Sequence, residues 1–122
     1  MKSDAKGLKR ILKAFVYSFD GFRAAFKESA FRQEIVVFIA GTAAAVYFPL
    51  SLEQKGMLIS SLLIVLMAEL TNTAIETVID RISPEYHDLS KKAKDIGSLL
   101  VLLAFINAGV LWGLTVWQVF FQ

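Results

Sequence analysis

Apolar and polar positions along this chain fall into four blocks. In the first, Leu8, Ile11, Leu12, Phe15, Phe19, Phe22 and Phe26 recur at the spacing of one helix face. Lys9, Arg10, Lys13, Tyr17, Asp20 and Arg23 fall on the other side. The pattern predicts an amphipathic helix over about 8–27. Three apolar blocks follow, at about 30–49, 56–80 and 96–121, each near or above the roughly 20 residues that cross a bilayer as a helix. Pro49 ends the first and Ser83-Pro84 breaks the second. The expected fold is an all-α integral membrane protein in a single domain over 1–122: one N-terminal surface helix and three transmembrane helices. A cationic helix with four phenylalanines on one face suits the membrane surface. The same stripe suits an ordinary core-facing helix; the membrane segments behind it favour the surface.

Charge adds a direction to this picture. Residues 1–34 hold eight of the thirteen Lys and Arg, and nothing after Asp95 is charged. The stretch 80–95 holds four more, the link near Lys55 one, and the C-terminal end none. Basic residues gather on the cytoplasmic side. The N-terminus and the 80–95 stretch are therefore expected inside, and the C-terminus outside. Tyr47, Phe48, Trp117, Phe120 and Phe121 would form an outer aromatic belt. The first thirty residues lack a compact apolar core with a small-residue cleavage site, so no secretory signal is expected. Acids mixed among the N-terminal bases argue against a nucleic-acid partner. The chain has no cysteine, which excludes disulfides and thiolate metal sites. Small residues four apart, at Ala40/Ala44, Gly41/Ala45 and Gly109/Gly113, let helices approach closely. Three spans enclose little interior, so a homo-oligomer is expected.

One stretch breaks the apolar pattern. Glu69, Asn72, Glu76 and Asp80 advance by three and four positions and stay on one helical face. A charge at the bilayer centre costs at least about 2.5 kcal/mol, so such residues usually face an interior or a functional site. Glu76 is expected near the cytoplasmic headgroups, and Glu69 about 10 Å deeper. Glu28 ends the surface helix at the headgroup level, Arg32 and Glu34 stand at the foot of the first span, and Lys94 and Asp95 at the foot of the third. Carboxylates at the water edge suit a hard divalent cation such as Mg²⁺. Nearby bases suit phosphate. A deeper, partly desolvated carboxylate suits a general base. Phosphoryl transfer from Mg-ATP to a lipid alcohol fits this geometry. A proton-coupled transporter and purely structural contacts between protomers fit it too. Neither GxxxxGK[ST] nor GxGxxG is present, which excludes P-loop and soluble-kinase machinery as far as motifs can.

Two long motifs narrow the choice. "GFRAAFKESAFRQE" (Gly21–Glu34) and "ELTNTAIETVIDRISPEYHDLSKKAKDIGS" (Glu69–Ser98) closely resemble the signatures of prokaryotic diacylglycerol kinases, in order and over nearly the whole chain. The resemblance implies a homotrimeric enzyme of the bacterial inner membrane that moves the ATP γ-phosphate to diacylglycerol with Mg²⁺. It implies Glu69 as the catalytic base, and Glu28 and Glu76 as holders of metal and nucleotide. It implies nucleotide contacts for Arg10, Tyr17, Glu85, Tyr86, His87, Lys94 and Asp95, and support from Asn72. It also implies a site built between neighbouring protomers. Related enzymes that phosphorylate undecaprenol share the E-x-x-N-x-x-x-E core; "AFRQE" and "DRI" look more like the diacylglycerol branch. Plainer readings stand beside these roles. His87 is the only histidine and sits in a polar stretch, Lys94 also suits a positive-inside anchor, and Trp112 and Trp117 suit packing and belt positions.

Overall fold

The computed structural model describes residues 6–122. Among them there are four helices and no strand: α1 Leu8–Ala25, α2 Ser29–Tyr47, α3 Leu52–Ile82 and α4 Asp88–Phe121. The last three are long and apolar enough to cross a membrane. Their backbone groups are satisfied within each helix, as hydrocarbon demands.

The breaks between helices have local causes. Between α1 and α2 the chain turns over three residues, and Arg32 Nη1 donates to Phe26 O at 2.8 Å to close that turn. After α2, Phe48 is extended, and the Leu50 N–H donates to Phe48 O at 2.8 Å in a tight turn around Pro49. Ser51 then starts α3 with a capping box: the Gln54 N–H donates to Ser51 Oγ at 3.1 Å, and the Ser51 N–H donates to Gln54 Oε1 at 2.8 Å. The stretch read from sequence as a loop as far as Asp95 is helical from Asp88, two turns before the apolar run begins. His87 makes this possible. Its Nδ1 accepts from the Leu89 N–H at 3.1 Å and caps the new helix.

α3 is the central element and packs against both α2 and α4. Its contact with α4 is built from Val65 and Ala68 against Ala104 and Ala108. Alanine at these positions brings the two backbones close. In a bilayer that close van der Waals packing, more than apolar burial, holds spans together. The small pair expected at Gly109 and Gly113 is not used this way; a Cβ at either would meet open space. Ala45, only 1% exposed, and Gly41, packed under Leu62 and Trp112, do serve at close approaches. A second cluster joins Ala25 at the end of α1 to Phe31 of α2 and Leu66 of α3. Phe22 meets Phe31 edge-on, which seats the end of α1 against the spans. The rest of α1 is exposed apart from the half-buried Lys13.

Polar contacts fix the register of the bundle. Trp112 Nε1 donates to Ser61 Oγ at 3.1 Å, and Ser61 donates to Leu58 O at 2.6 Å. At one end of the bundle Gln54 Nε2 donates to Gln118 Oε1 at 3.0 Å, and Lys55 Nζ donates to Val46 O at 2.9 Å. Aromatic rings collect at that same end: Phe48 meets Phe120 edge-on at 6.1 Å, Tyr47 packs on Phe48, and Trp117 stacks on Phe121. The carboxylates Glu28, Glu69 and Glu76 lie toward the other end.

Candidate active site

The acidic stripe lies on one continuous helix, because α3 runs unbroken from Leu52 to Ile82. Glu69 is 8% exposed, which makes it a buried charge-bearing side chain on a membrane-spanning helix. Glu76 is two turns further on and exposed. Both Glu76 and Glu28 lie close enough for their charges to act on Glu69, Glu76 the more strongly, and Glu34 in turn is within range of Glu69. The start of α2 and the second half of α3 therefore bring four acids within electrostatic range. Glu28 stands just before α2, and its carboxylate makes no capping bond to that helix, so it is free for other work.

Two oxygens beside this group have no internal partner. Glu34 Oε2 and Asn72 Oδ1 are both buried without a hydrogen bond. Buried acceptors are normally paired, and exceptions cluster where a ligand or ion belongs. Asn72 is held tightly against α4. A Cβ placed on Gly97 would collide with its Oδ1, so the absent side chain at Gly97 is what admits the amide. Gly97 carried no recognisable signal in the sequence beyond being small.

The residues beyond Ile79 form a second, more open feature. A pocket of about 430 Å³ is lined by Asp80, Glu85, Tyr86, His87, Lys94 and Asp95, among others. The turn is tight: the Glu85 N–H donates to Ser83 Oγ at 3.1 Å. Tyr86 donates to Asp88 Oδ1 at 2.8 Å. That bond to a carboxylate, with lesser help from partial desolvation and Asp95, pushes the Tyr86 phenol above its ordinary pKa, because it favours the neutral form. Lys94 pairs with Asp80 across α3 and α4 at 3.1 Å, and Lys91 pairs with Asp95 at 2.6 Å. Both pairs are exposed and add little stability; they position the lysines. Asp80, assigned no chemistry from sequence, is what aims Lys94.

Not every expected group joins this assembly. Arg10 and Tyr17 are exposed on α1, and no contact among the described residues ties them to the carboxylates. Arg32 is engaged in closing the α1–α2 turn. His87 uses Nδ1 as a helix cap, which leaves Nε2 as its outward nitrogen. Among the described residues no three His, Asp or Glu side chains converge into a complete metal cage.

A buried acid on a candidate membrane span, two exposed acids near it and a pocket lined by charges of both signs lie toward one end of the bundle. A sequence profile described as prokaryotic diacylglycerol kinase matches residues 16–116, which covers α2 and α3 whole and most of α1 and α4. The chain belongs to the prokaryotic diacylglycerol kinase family. It is a membrane protein and a kinase by family, and kinases transfer a phosphoryl group from ATP with the help of a divalent cation. The reading of the acidic stripe as a transporter's proton relay is thereby set aside. The diacylglycerol kinase of Escherichia coli K12 is 43% identical over 121 residues, covering 98% of this chain and 99% of its own. That of Pseudomonas aeruginosa is 43% identical over 107 residues, covering 87% of each chain. That of Helicobacter pylori is 38% identical over 110 residues, covering 89% of this family member and 86% of its own.

Proposed function

We propose that this protein phosphorylates diacylglycerol to phosphatidic acid at the cytoplasmic face of the bacterial inner membrane, using ATP and Mg²⁺, as a homotrimer. The observation that carries the reading is Glu69: a buried carboxylate on a membrane span, flanked by the water-edge acids Glu76 and Glu28, in a chain of this family. Its depth matches that of a lipid hydroxyl just beneath the headgroups. Glu69 takes the hydroxyl proton as the alcohol oxygen bonds to the γ-phosphorus. The bond from that phosphorus to the β-γ bridging oxygen breaks, and ADP leaves toward the cytoplasm.

The donor set suits the cation. Glu28 and Glu76 supply hard oxygen ligands, and the orphaned Glu34 Oε2 offers another acceptor nearby. Mg²⁺ is commonly held by one or two carboxylates together with substrate phosphates and water, so an incomplete protein cage fits it. Bound there, the ion would neutralise charge on the transferring phosphoryl group. Asn72 supports Glu69 from one turn away, and Glu34 does so from α2. Arg10, Tyr17, Glu85, Tyr86, His87, Lys94 and Asp95 contact the nucleotide, with Lys94 already aimed by Asp80. α1 lies on the cytoplasmic surface of the bilayer, anchored through Phe22 to Phe31. That location keeps Arg10 and Tyr17 at the level where nucleotide arrives. A trimer accounts for how three thin spans enclose a site that one chain leaves open.

The experiment is direct. Purified protein in lipid micelles is given γ-labelled ATP with diacylglycerol, and in parallel with undecaprenol. Label in phosphatidic acid, with little in undecaprenyl phosphate, is the expected result. The reverse preference would move the protein to the undecaprenol branch, and label in neither lipid would overturn the reading.

A further inference from the structure

The turn between α1 and α2 consists of Phe26, Lys27 and Glu28, so the proposed cation ligand Glu28 is part of the turn itself. Glu28 is the N-cap of α2. Ser, Thr, Asp and Asn are preferred there, because their short side chains accept from the first N–H groups of the helix. Glutamate is not among them, and here its carboxylate makes no capping bond. A position that breaks a local rule marks a functional or strained site. The backbone of Glu28 is nevertheless held from both sides. Its N–H donates to Ala25 O at 2.9 Å, and its carbonyl accepts from the Arg32 N–H at 3.2 Å. Phe31, 2% exposed, packs with Ala25 and with Leu66. Leu66 lies about one turn before Glu69, so the turn is registered against the stretch of α3 that carries the buried acid.

Arg32 is the unexpected member of this turn. It follows Glu28 by four residues, the spacing at which opposite charges pair along a helix. Among the described residues no ion pair joins them. The guanidinium reaches past Glu28 instead, and Nη1 donates to Phe26 O at 2.8 Å. Phe26 is the C-cap of α1. Carbonyls at a helix C-terminus lack partners within the helix, and a cation is favoured beside them. This one bond has two consequences. It ties the end of α1 to the first turns of α2 across Glu28. It also keeps the base that is best spaced to neutralise Glu28 off its carboxylate. A guanidinium paired there would stay charged and would compete with a divalent cation for the same oxygens.

We infer that Arg32 is a positioning residue for the cation site: by bonding Phe26 O it fixes the place of Glu28 and leaves that carboxylate open to a divalent cation. The inference rests on the reading of Glu28 as a cation holder. It gives Arg32 itself no contact with phosphate, lipid or metal, although a base beside a phosphate site is the plainer expectation for an arginine.

Full-length protein in lipid micelles is titrated with the Mn²⁺ complex of a non-hydrolysable ATP analogue, and binding is read by paramagnetic resonance. Mn²⁺ takes the same octahedral oxygen ligands as Mg²⁺. Arg32→Met should weaken binding by about tenfold, the lower limit for losing a group that orients a metal ligand. On a Glu28→Gln background the same substitution should change binding by less than about twofold, because it acts through Glu28. Equal losses on both backgrounds would show Arg32 holding phosphate itself and would overturn the inference. Parental binding in Arg32→Met would overturn it too. In turnover assays Arg32→Met should need about tenfold more Mg²⁺ for half-maximal activity and approach the parent's rate at saturation. A loss of packing alone would lower the saturated rate instead. The chain has no cysteine, so a nitroxide on Lys27→Cys reports on the turn without background. Its spectrum should sharpen when Arg32→Met is added, and unchanged mobility would overturn the role of the Phe26 bond. Arg32→Gln, polar but shorter, carries every arm should the methionine variant fail to assemble. Glu28→Gln separates this inference from the reading beneath it. If that variant alone leaves Mn²⁺ binding unchanged, Glu28 does not hold the cation and both fall. If it weakens binding while Arg32→Met does not, only the positioning role falls.

Discussion

Glu69 and Glu76 are two carboxylates on one helix, and burial separates their work. Glu69 is buried at 8% exposure and Glu76 is exposed, so the proposed function gives Glu69 the lipid hydroxyl and Glu76 the nucleotide and cation. Glu69→Gln should lower turnover by about 10²- to 10⁴-fold with nucleotide affinity largely kept, since a positioned base contributes on that scale. Turnover near the parent's would remove Glu69 from the base role. Glu76→Gln should instead raise the Mg²⁺ concentration needed for half-maximal activity by about tenfold or more, the lower limit for losing a group tied to metal binding. A Mg²⁺ titration that overlays the parent's would show that Glu76 does not hold the cation. At this scale the stripe was legible because helix periodicity alone puts residues 69, 72, 76 and 80 on one face. That Asp80 reaches Lys94, and that Arg32 turns back to Phe26, was not legible. Both are contacts between elements, and which rotamer an exposed side chain takes depends on what the neighbouring element offers it.

The elements themselves were largely written in hydropathy. The three spans and the break at Ser83-Pro84 follow from run length and from proline's missing N–H. The start of α4 did not show, because Asp88 to Asp95 is polar and a membrane reading attends to apolar residues; the His87 cap decides it. Packing between elements within the chain was only partly legible. Gly109 and Gly113 have the spacing of a close helix contact but face open space, while Ala104 and Ala108 meet α3. Gly97 is the small residue that matters for the site. Gly97→Ala would push a Cβ into Asn72 Oδ1, so the amide must swing away from its place beside Glu69. Turnover should fall by about 10- to 100-fold, the usual consequence of displacing a site group by about an ångström. Because the clash falls on a side-chain tip, the helices should remain folded by circular dichroism. A variant with parental turnover would show that Asn72 does not support the site.

For the whole molecule, the two ends of the bundle differ in kind. Aromatic rings gather at one, acids and lysines at the other. Combined with the bias of Lys and Arg, this supports a proposed orientation with the acidic end in the cytoplasm. Leu89→Cys should react with a membrane-impermeant maleimide only from the cytoplasmic side, and Gln122→Cys only from outside. Labelling in the opposite sense would invert the topology and place the site away from cellular ATP. Assembly belongs to this scale as well. α2 and α4 flank α3 without closing over it, and many large apolar side chains on all four helices point outward. Lipid and the other copies of the proposed trimer account for that surface.

By itself the sequence determined the number of candidate spans, the helix that precedes them and the stripe of acids, because each is a periodicity or a run length, properties of neighbouring residues along one chain. It also carried motifs long enough to identify the family. Only the tertiary structure decided which acids stand within reach of Glu69, which lysine Asp80 holds and which glycine makes room for Asn72. Those facts depend on where α2 and α4 come to rest against α3. That placement is set by close packing of Ala68, Ala104 and Ala108 and by hydrogen bonds such as Trp112 to Ser61, between residues far apart in the chain.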